Sequence, residues 1–142
     1  QVLGIWAAHD VGRAVNPLII HGQTHGGIAQ GVGQALLEHC AYNAGSGQLM
    51  SGSFMDYAMP RADNFPFFNT LISEVPTPEH PLGIRPAGEG GTAPALAVTI
   101  NAIVDALADL GVRHVEMPAT PERVWRAIHG KPDLSPTLAA NN

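Results

Sequence analysis

Cysteine, charge and long apolar runs are all scarce in this 142-residue chain. The single cysteine, Cys40, cannot close an internal disulfide, and one thiol falls short of a structural zinc site or an iron–sulfur cluster. Such sparse use fits a reducing cytoplasm, with the periplasm as the alternative. Lys and Arg number 7 against 12 Asp and Glu, for a net charge of −5, and no basic run occurs. Nucleic acids and anionic membranes are therefore poor partners. Gly, His or Asp interrupts each apolar stretch well short of the ~20 residues that a membrane helix needs, so no span is expected. No signal-peptide pattern is visible. Charged residues make up 13% of the chain and apolar residues 45%. The charged share is about half the usual level. Either other chain covers part of the surface, or this is a small Ala/Gly-rich domain.

The length suits one domain with its own core. The chain opens on Gln1 and runs straight into apolar residues, as expected of a cut inside a longer polypeptide, with a processed N-terminus as the alternative. Residues 2–9 (VLGIWAAH) suit a strand, with Asp10 and Gly12 after it. Asn16 before Pro17 is a helix start, predicting a helix from about Leu18 to His39. That helix holds Gly22, Gly26, Gly27, Gly31 and Gly33. Together they cost about 4–5 kcal/mol relative to Ala, so a closely approaching backbone or a bulky ligand must compensate. Gln23, Gly27, Gln30 and Gln34 share one stripe, and Ile28, Val32, Ala35 and Leu36 lie opposite, facing the core.

Residues 39–52 suggest a hairpin turning at Asn43–Gly47. An ordered loop is expected over 53–68 and a strand over Asn69–Val75, broken by Pro76, Pro78 and Pro81. Thr92 can cap a second helix, with Pro94 in its first turn and Leu96, Ile100, Ile103, Leu107 and Leu110 at helical spacing up to Gly111. Val112–Met117 alternates like a short strand. Thr120-Pro121-Glu122 starts a last helix whose apolar side is Val124, Trp125 and Ile128. The expectation is an α+β domain over 1–130, with three helices and four or five short strands, and a loose tail over 131–142.

Glu89 stands out chemically. It lies in the glycine-rich stretch Gly88-Glu89-Gly90-Gly91, where a loop can approach a ligand closely, just ahead of a helix N-terminus that favours negative charge. A carboxylate so placed suits a general base; a surface glutamate in a turn is the plain alternative. His21 and His25 have the spacing of a zinc-protease helix, but Gly22 stands where the base glutamate should be, so packing or surface histidines fit better. The loop lacks the Gly-Lys-Ser/Thr ending of a P-loop, and no Gly-x-Ser-x-Gly elbow is present. Asp10, Arg13 and Asn16 suit a structural turn.

Several segments, in order from Trp6 to His129, resemble the large subunit of the molybdenum hydroxylases. They are Asp10-Val-Gly-Arg-Ala-Val-Asn16-Pro17, Gly22-Gln23 through Gly26-Gly27 and Gln30-Gly31 to Leu36, Gly88-Glu89-Gly-Gly-Thr92, Asn101-Ala-Ile-Val-Asp105, and Met117-Pro118-Ala-Thr120-Pro121-Glu122-Arg123-Val-Trp125. That family includes xanthine, aldehyde, isoquinoline and nicotinate oxidoreductases and aerobic carbon monoxide dehydrogenase. The resemblance implies a C-terminal part of the second molybdopterin-binding domain of a larger subunit. Implied too is a molybdenum–pterin cofactor, often with a cytosine dinucleotide in bacteria. Iron–sulfur clusters and FAD would sit on other domains or subunits of an oligomeric assembly.

By the same resemblance Glu89 is the base that takes a proton at the molybdenum centre, and Gln23 contacts the pterin. Gly27, Gln30 and Gly88 join as cofactor-binding candidates, and no protein ligand to the metal is expected. The substrate would be a small molecule: an aldehyde, an N-heterocycle or a related compound hydroxylated with water-derived oxygen, or carbon monoxide. Ile84-Arg85-Pro86-Ala87 departs from the Lys-Gly-Val of many members and resembles the carbon monoxide or glyceraldehyde dehydrogenase-like branch. Such a chain holds only part of an active site and should not turn over alone. A non-catalytic structural or subunit-interaction module is the competing expectation.

Overall fold

The computed structural model describes residues 2–132, so the tail expected over 131–142 falls outside the described residues except for Lys131 and Pro132. In chain order the elements are β1 (Ile5–Asp10), α1 (Pro17–Leu36), β2 (Phe68–Ser73), α2 (Thr92–Ala106) and α3 (Pro121–Ile128). Short 3-10 turns occupy Ala62–Asn64 and Ala108–Leu110. This is the α+β arrangement with three helices that the sequence suggests.

The helix starts follow from their caps. The Asn16 side chain accepts the Ile19 N–H at 3.3 Å, and the Thr120 hydroxyl accepts that of Arg123 at 3.3 Å. Thr92 begins α2 instead of capping it, and its N–H is taken by the Glu89 carbonyl at 3.1 Å. The α1 helix stops at Leu36, short of His39, where the Leu37 and Glu38 N–H groups both turn back onto the Gly33 carbonyl. The end of α2 tightens into the 3-10 turn and halts at Gly111, whose φ of 78° is left-handed.

β1 and β2 pair in parallel, from Ile5 opposite Phe68 to Asp10 opposite Ser73. Parallel strands need a long crossover, and the chain makes one through α1 and the loop that follows it. Along β1, Ile5, Ala7 and His9 are partly covered, while Trp6, Ala8 and Asp10 are exposed.

The strand count is lower than expected. Among the described residues two strands form, with single bridges at Gly12–Ile84 and Tyr42–Leu49. The 39–52 hairpin reduces to the second bridge, around a turn in which the Asn43 side chain accepts the Gly45 and Ser46 N–H groups. Val112–Met117 is not a strand. Its buried residues, Val112 and Val115, are three apart, and a strand face repeats every two.

The described residues form two compact units, one from the residues up to Val32 with Arg61–Leu96, the other from Gly33–Pro60 with the described residues after Leu96. In the first, Val11, Ile28, Val32, Phe68 and Ala95 are buried. In the second, Val112, Val115 and Ala119 are enclosed by Leu36, Ile100, Ile103, Leu107, Val124 and Ile128. Trp125, expected on the apolar side of α3, is instead 47% exposed and stacks on His129 at 4.3 Å. Among the described residues no helix is long and apolar enough to cross a membrane.

The glycines of α1 divide by surroundings. A Cβ on Gly31 would stand 2.8 Å from the Ala95 Cβ, whereas one on Gly22 would meet nothing within 4 Å. Gly31→Leu should therefore lower the unfolding free energy by about 1–3 kcal/mol through overpacking. Gly22→Ala should raise it by up to about 1 kcal/mol through helix propensity. Urea unfolding of the two variants checks this, and equal effects would contradict the assignment.

Candidate functional site

The first turn of α2 and the polar stripe of α1 meet at backbone distance. A Cβ on Gly27 would lie 3.0 Å from both the backbone nitrogen and the hydroxyl of Thr92. One on Gly91 would strike the Thr24 carbonyl and lie 3.1 Å from the Ile28 nitrogen. Two side-chain-free positions thus let the loop lie directly on the helix. The Glu89 carbonyl accepts the Thr92 and Ala93 N–H groups at 3.1 and 3.3 Å, which puts Glu89 at the head of that first turn. Gln23 completes the contact, its Nε2 donating to the Gly88 carbonyl at 2.8 Å.

Between these elements lies a cleft of about 330 Å³, lined by Gly22, Gln23, Gly26, Gly27, Gln30, Gly88, Glu89 and Thr92. All five candidates drawn from the sequence, Glu89, Gln23, Gly27, Gln30 and Gly88, are brought together here. Glu89 is exposed, but it faces the same cleft as the glutamine-bearing side of α1. Nothing lies within 4 Å of where a Cβ would stand on Gly22, Gly26 or Gly88, so these positions keep the cleft open. With Nε2 committed to Gly88, Gln23 keeps its amide oxygen as an acceptor, and Gln30 offers a whole amide.

The loop is anchored at its base by a residue that sequence reasoning set aside as a mere turn. Asp10 Oδ1 accepts the Gly12 and Val75 N–H groups, each at 3.0 Å. The guanidinium of Arg85 reaches Asp10 Oδ2 at 3.1 Å and the Val75 carbonyl at 3.1 Å. The Arg85 N–H donates to the Val11 carbonyl at 2.8 Å, and the Arg13 N–H to that of Gly83 at 2.9 Å. Arg85 thus serves as an anchor four residues before Glu89. No periodicity links Asp10 to Arg85 across so much chain, so the sequence carries no signal for the pair. The N–H groups of Val75 and then Gly12 hold the Asp10 carboxyl below its ordinary value, and Arg85 adds to this.

A second, more open groove of about 660 Å³ is lined by Trp6, His21, His25, Phe67, Phe68, Thr70 and neighbours. Although larger, it has no carboxylate among its lining residues, and each imidazole has one nitrogen engaged by the same residue. His21 Nδ1 lies 2.7 Å and His25 Nε2 3.1 Å from the one hydroxyl of Thr70. That hydroxyl can donate to one ring and accept from the other. His25 also meets Phe68 edge-on at 5.7 Å. The histidine pair is thus part of the packing, the first of the two roles that its sequence context leaves open, and the cleft at Glu89 is the candidate site.

The cleft is thus lined by glutamines and glycines, with one carboxylate at a helix start, and comparison with known proteins places the chain among its relatives. Residues 1–66, which hold β1 and α1 with Gln23, Gly27 and Gln30, match the molybdopterin cofactor-binding domain. Along most of its length the chain is similar to one part of the large subunits of the molybdenum hydroxylases. It is 40% identical over 134 residues to the nicotine 6-hydroxylase large subunit of Paenarthrobacter nicotinovorans, covering 94% of this chain and 16% of that one. To the carbon monoxide dehydrogenase large chain of Hydrogenophaga pseudoflava it is 35% identical, covering 90% and 16%. The structure of quinoline 2-oxidoreductase from Pseudomonas putida 86 superposes with a TM-score of 0.84 at 41% identity, covering 89% and 16%. The chain therefore spans 16% of the length of each of these relatives.

Asp10 yields a pH prediction. A carboxyl held low in the folded protein contributes fully above its unfolded value of about 3.9, and its contribution is lost as pH falls through the lower folded value. The Gly12 and Val75 amides should stay protected from hydrogen exchange at about pH 5 and lose protection only below about pH 4. Asp10→Asn should expose them at the higher pH already. Equal exchange in the two proteins at about pH 5 would contradict the anchor.

Proposed function

We propose that the cleft at Glu89 is one wall of a molybdenum–pterin site in a hydroxylase, with Glu89 as its base. The observation that carries this is the convergence of Glu89, the Gln23–Gly88 hydrogen bond and the open glycines of α1 on one cleft. The residues fit such a group. Three positions without side chains leave room for it, and the Gln23 oxygen and the Gln30 amide offer hydrogen bonds of the kind that a pterin edge can return. When bound, the molybdenum–pterin group supplies the redox chemistry, in which the substrate gains water-derived oxygen.

The chain's own residues do the rest. Gln23 fixes the loop at Gly88, one residue before the base. Gly27 and Gly91 hold the loop against α1, so that Glu89 is carried on a rigid helix start. The Glu89 carboxylate accepts the proton released as oxygen is transferred, a role worth roughly 10²–10⁴ in rate.

The substrate class that fits this reading is an aldehyde, an N-heterocycle or a related compound, or carbon monoxide. Residues 1–130 would form the C-terminal part of the molybdopterin-binding domain. The remaining walls would come from the rest of a large subunit, with iron–sulfur and flavin groups on partner domains or subunits, in an oligomeric cytoplasmic enzyme. We propose the cytosine dinucleotide form of the pterin for this site. A purely structural module is the second reading, favoured by the exposure of Leu3, Trp6, Leu18 and Phe67. These residues are the kind of surface that other chain covers.

Two variants of the intact, loaded enzyme separate the readings. Glu89→Gln keeps the shape and removes the base, so molybdenum content should stay near normal while kcat falls by about 10²-fold or more. A purely structural module would not register the change. Gly26→Leu should leave the fold intact, because a Cβ at this position meets nothing within 4 Å. By filling the cleft it should lower molybdenum content per subunit. Full molybdenum content in that variant would remove the cofactor from this cleft.

A further inference from the structure

Gly90, directly after Glu89, is glycine for a reason that lies on β1. The three atoms nearest to a Cβ built at Gly90 all belong to the His9 ring: Cε1, Nε2 and Nδ1. Gly90 is not among the glycines with positive φ, so its backbone makes no demand for glycine. The demand is steric, and the imidazole makes it. His9 Nδ1 is buried and has no hydrogen-bond partner. Folded proteins seldom leave such an atom buried and unpaired without some return. Here the ring's return is its volume, seated against the loop. The two residues after Glu89 are thus gripped from two sides, Gly90 by the ring from β1 and Gly91 by the backbone of α1.

We propose that His9 is a positioning residue, a backstop whose ring sets the direction of the Glu89 carboxylate by fixing Gly90. This rests on the reading of Glu89 as the base. Misplacing a reacting group by ~1 Å can cost about 10²-fold in rate, so the backstop should register in kcat and leave KM nearly unchanged.

The test is a double-variant cycle in the intact, molybdenum-loaded enzyme, with Gly90→Ala, His9→Ala and the two combined. Gly90→Ala should lower kcat by about tenfold or more, because its methyl collides with the ring. His9→Ala should also lower kcat, because the loop loses its support. The combined variant should recover much of the loss of Gly90→Ala, since the methyl enters the space the ring has left. Backbone hydrogen exchange over residues 88–92 in cofactor-free protein should follow the same order, fast in His9→Ala and slower again in the pair. If the two losses simply multiply and exchange shows no recovery, the positioning role is overturned. Should Gly90→Ala fail to accumulate, recovery of soluble, molybdenum-loaded protein in the pair supports the contact, and its absence overturns it. Glu89→Gln, measured alongside, separates the two ideas. If it keeps turnover, the base reading fails and this proposal with it. If it loses turnover while the pair shows no recovery, the positioning role alone falls.

Discussion

The contact between the α1 backbone and the loop at 88–91 is the constraint on which the site depends. A Cβ on Gly91 would force the two apart, because it faces main-chain atoms that cannot swing aside, and one on Gly27 would crowd Thr92 and Gly91 at 3.0–3.1 Å. With both absent, Glu89 rides on the first turn of α2 instead of on a free loop. The Gln23 amide then bridges the remaining gap to Gly88. The helix tolerates its glycines, each unfavourable by about 0.8–1 kcal/mol in isolation, in return for this approach and for an open cleft at Gly22 and Gly26.

At the far end of the same loop, charge does what steric fit does near Glu89. Asp10 gathers two backbone N–H groups and the Arg85 guanidinium, tying the end of β1 to the segments around Val75 and Arg85. The loop is held at both ends by atoms of one compact unit, so the position of the carboxylate is a property of that unit's own packing. The exposed apolar residues around Trp6 and Phe67 are a different matter. They line a groove with no acid, and they are consistent with a chain that spans 16% of its relatives' length.

Much of this is legible in the sequence, and the rest has identifiable reasons for being hidden. Asn16-Pro17 and Thr120-Pro121 give true helix starts because cap chemistry is local. The inward set Ile28, Val32 and Ala35 is found because helical period is a property of neighbours. The excess of glycine in α1 announces a close approach, though not which chain segment makes it. Strands fare worse. Val112–Met117 alternates on paper but has no partner strand, and pairing is not a local property. Trp125 is apolar enough for a core, yet it lies outside, stacked on His129. The Asp10–Arg85 pair joins residues remote in sequence and is invisible without the fold.

The most direct test of the account is a high-resolution structure of the loaded large subunit. The account predicts the Glu89 carboxylate within hydrogen-bond reach of the molybdenum centre, at about 2.6–3.2 Å from the atom it deprotonates, with Gln23 still bound to the Gly88 carbonyl. A Glu89 side chain turned away from the cofactor, with another residue in its place, would contradict it.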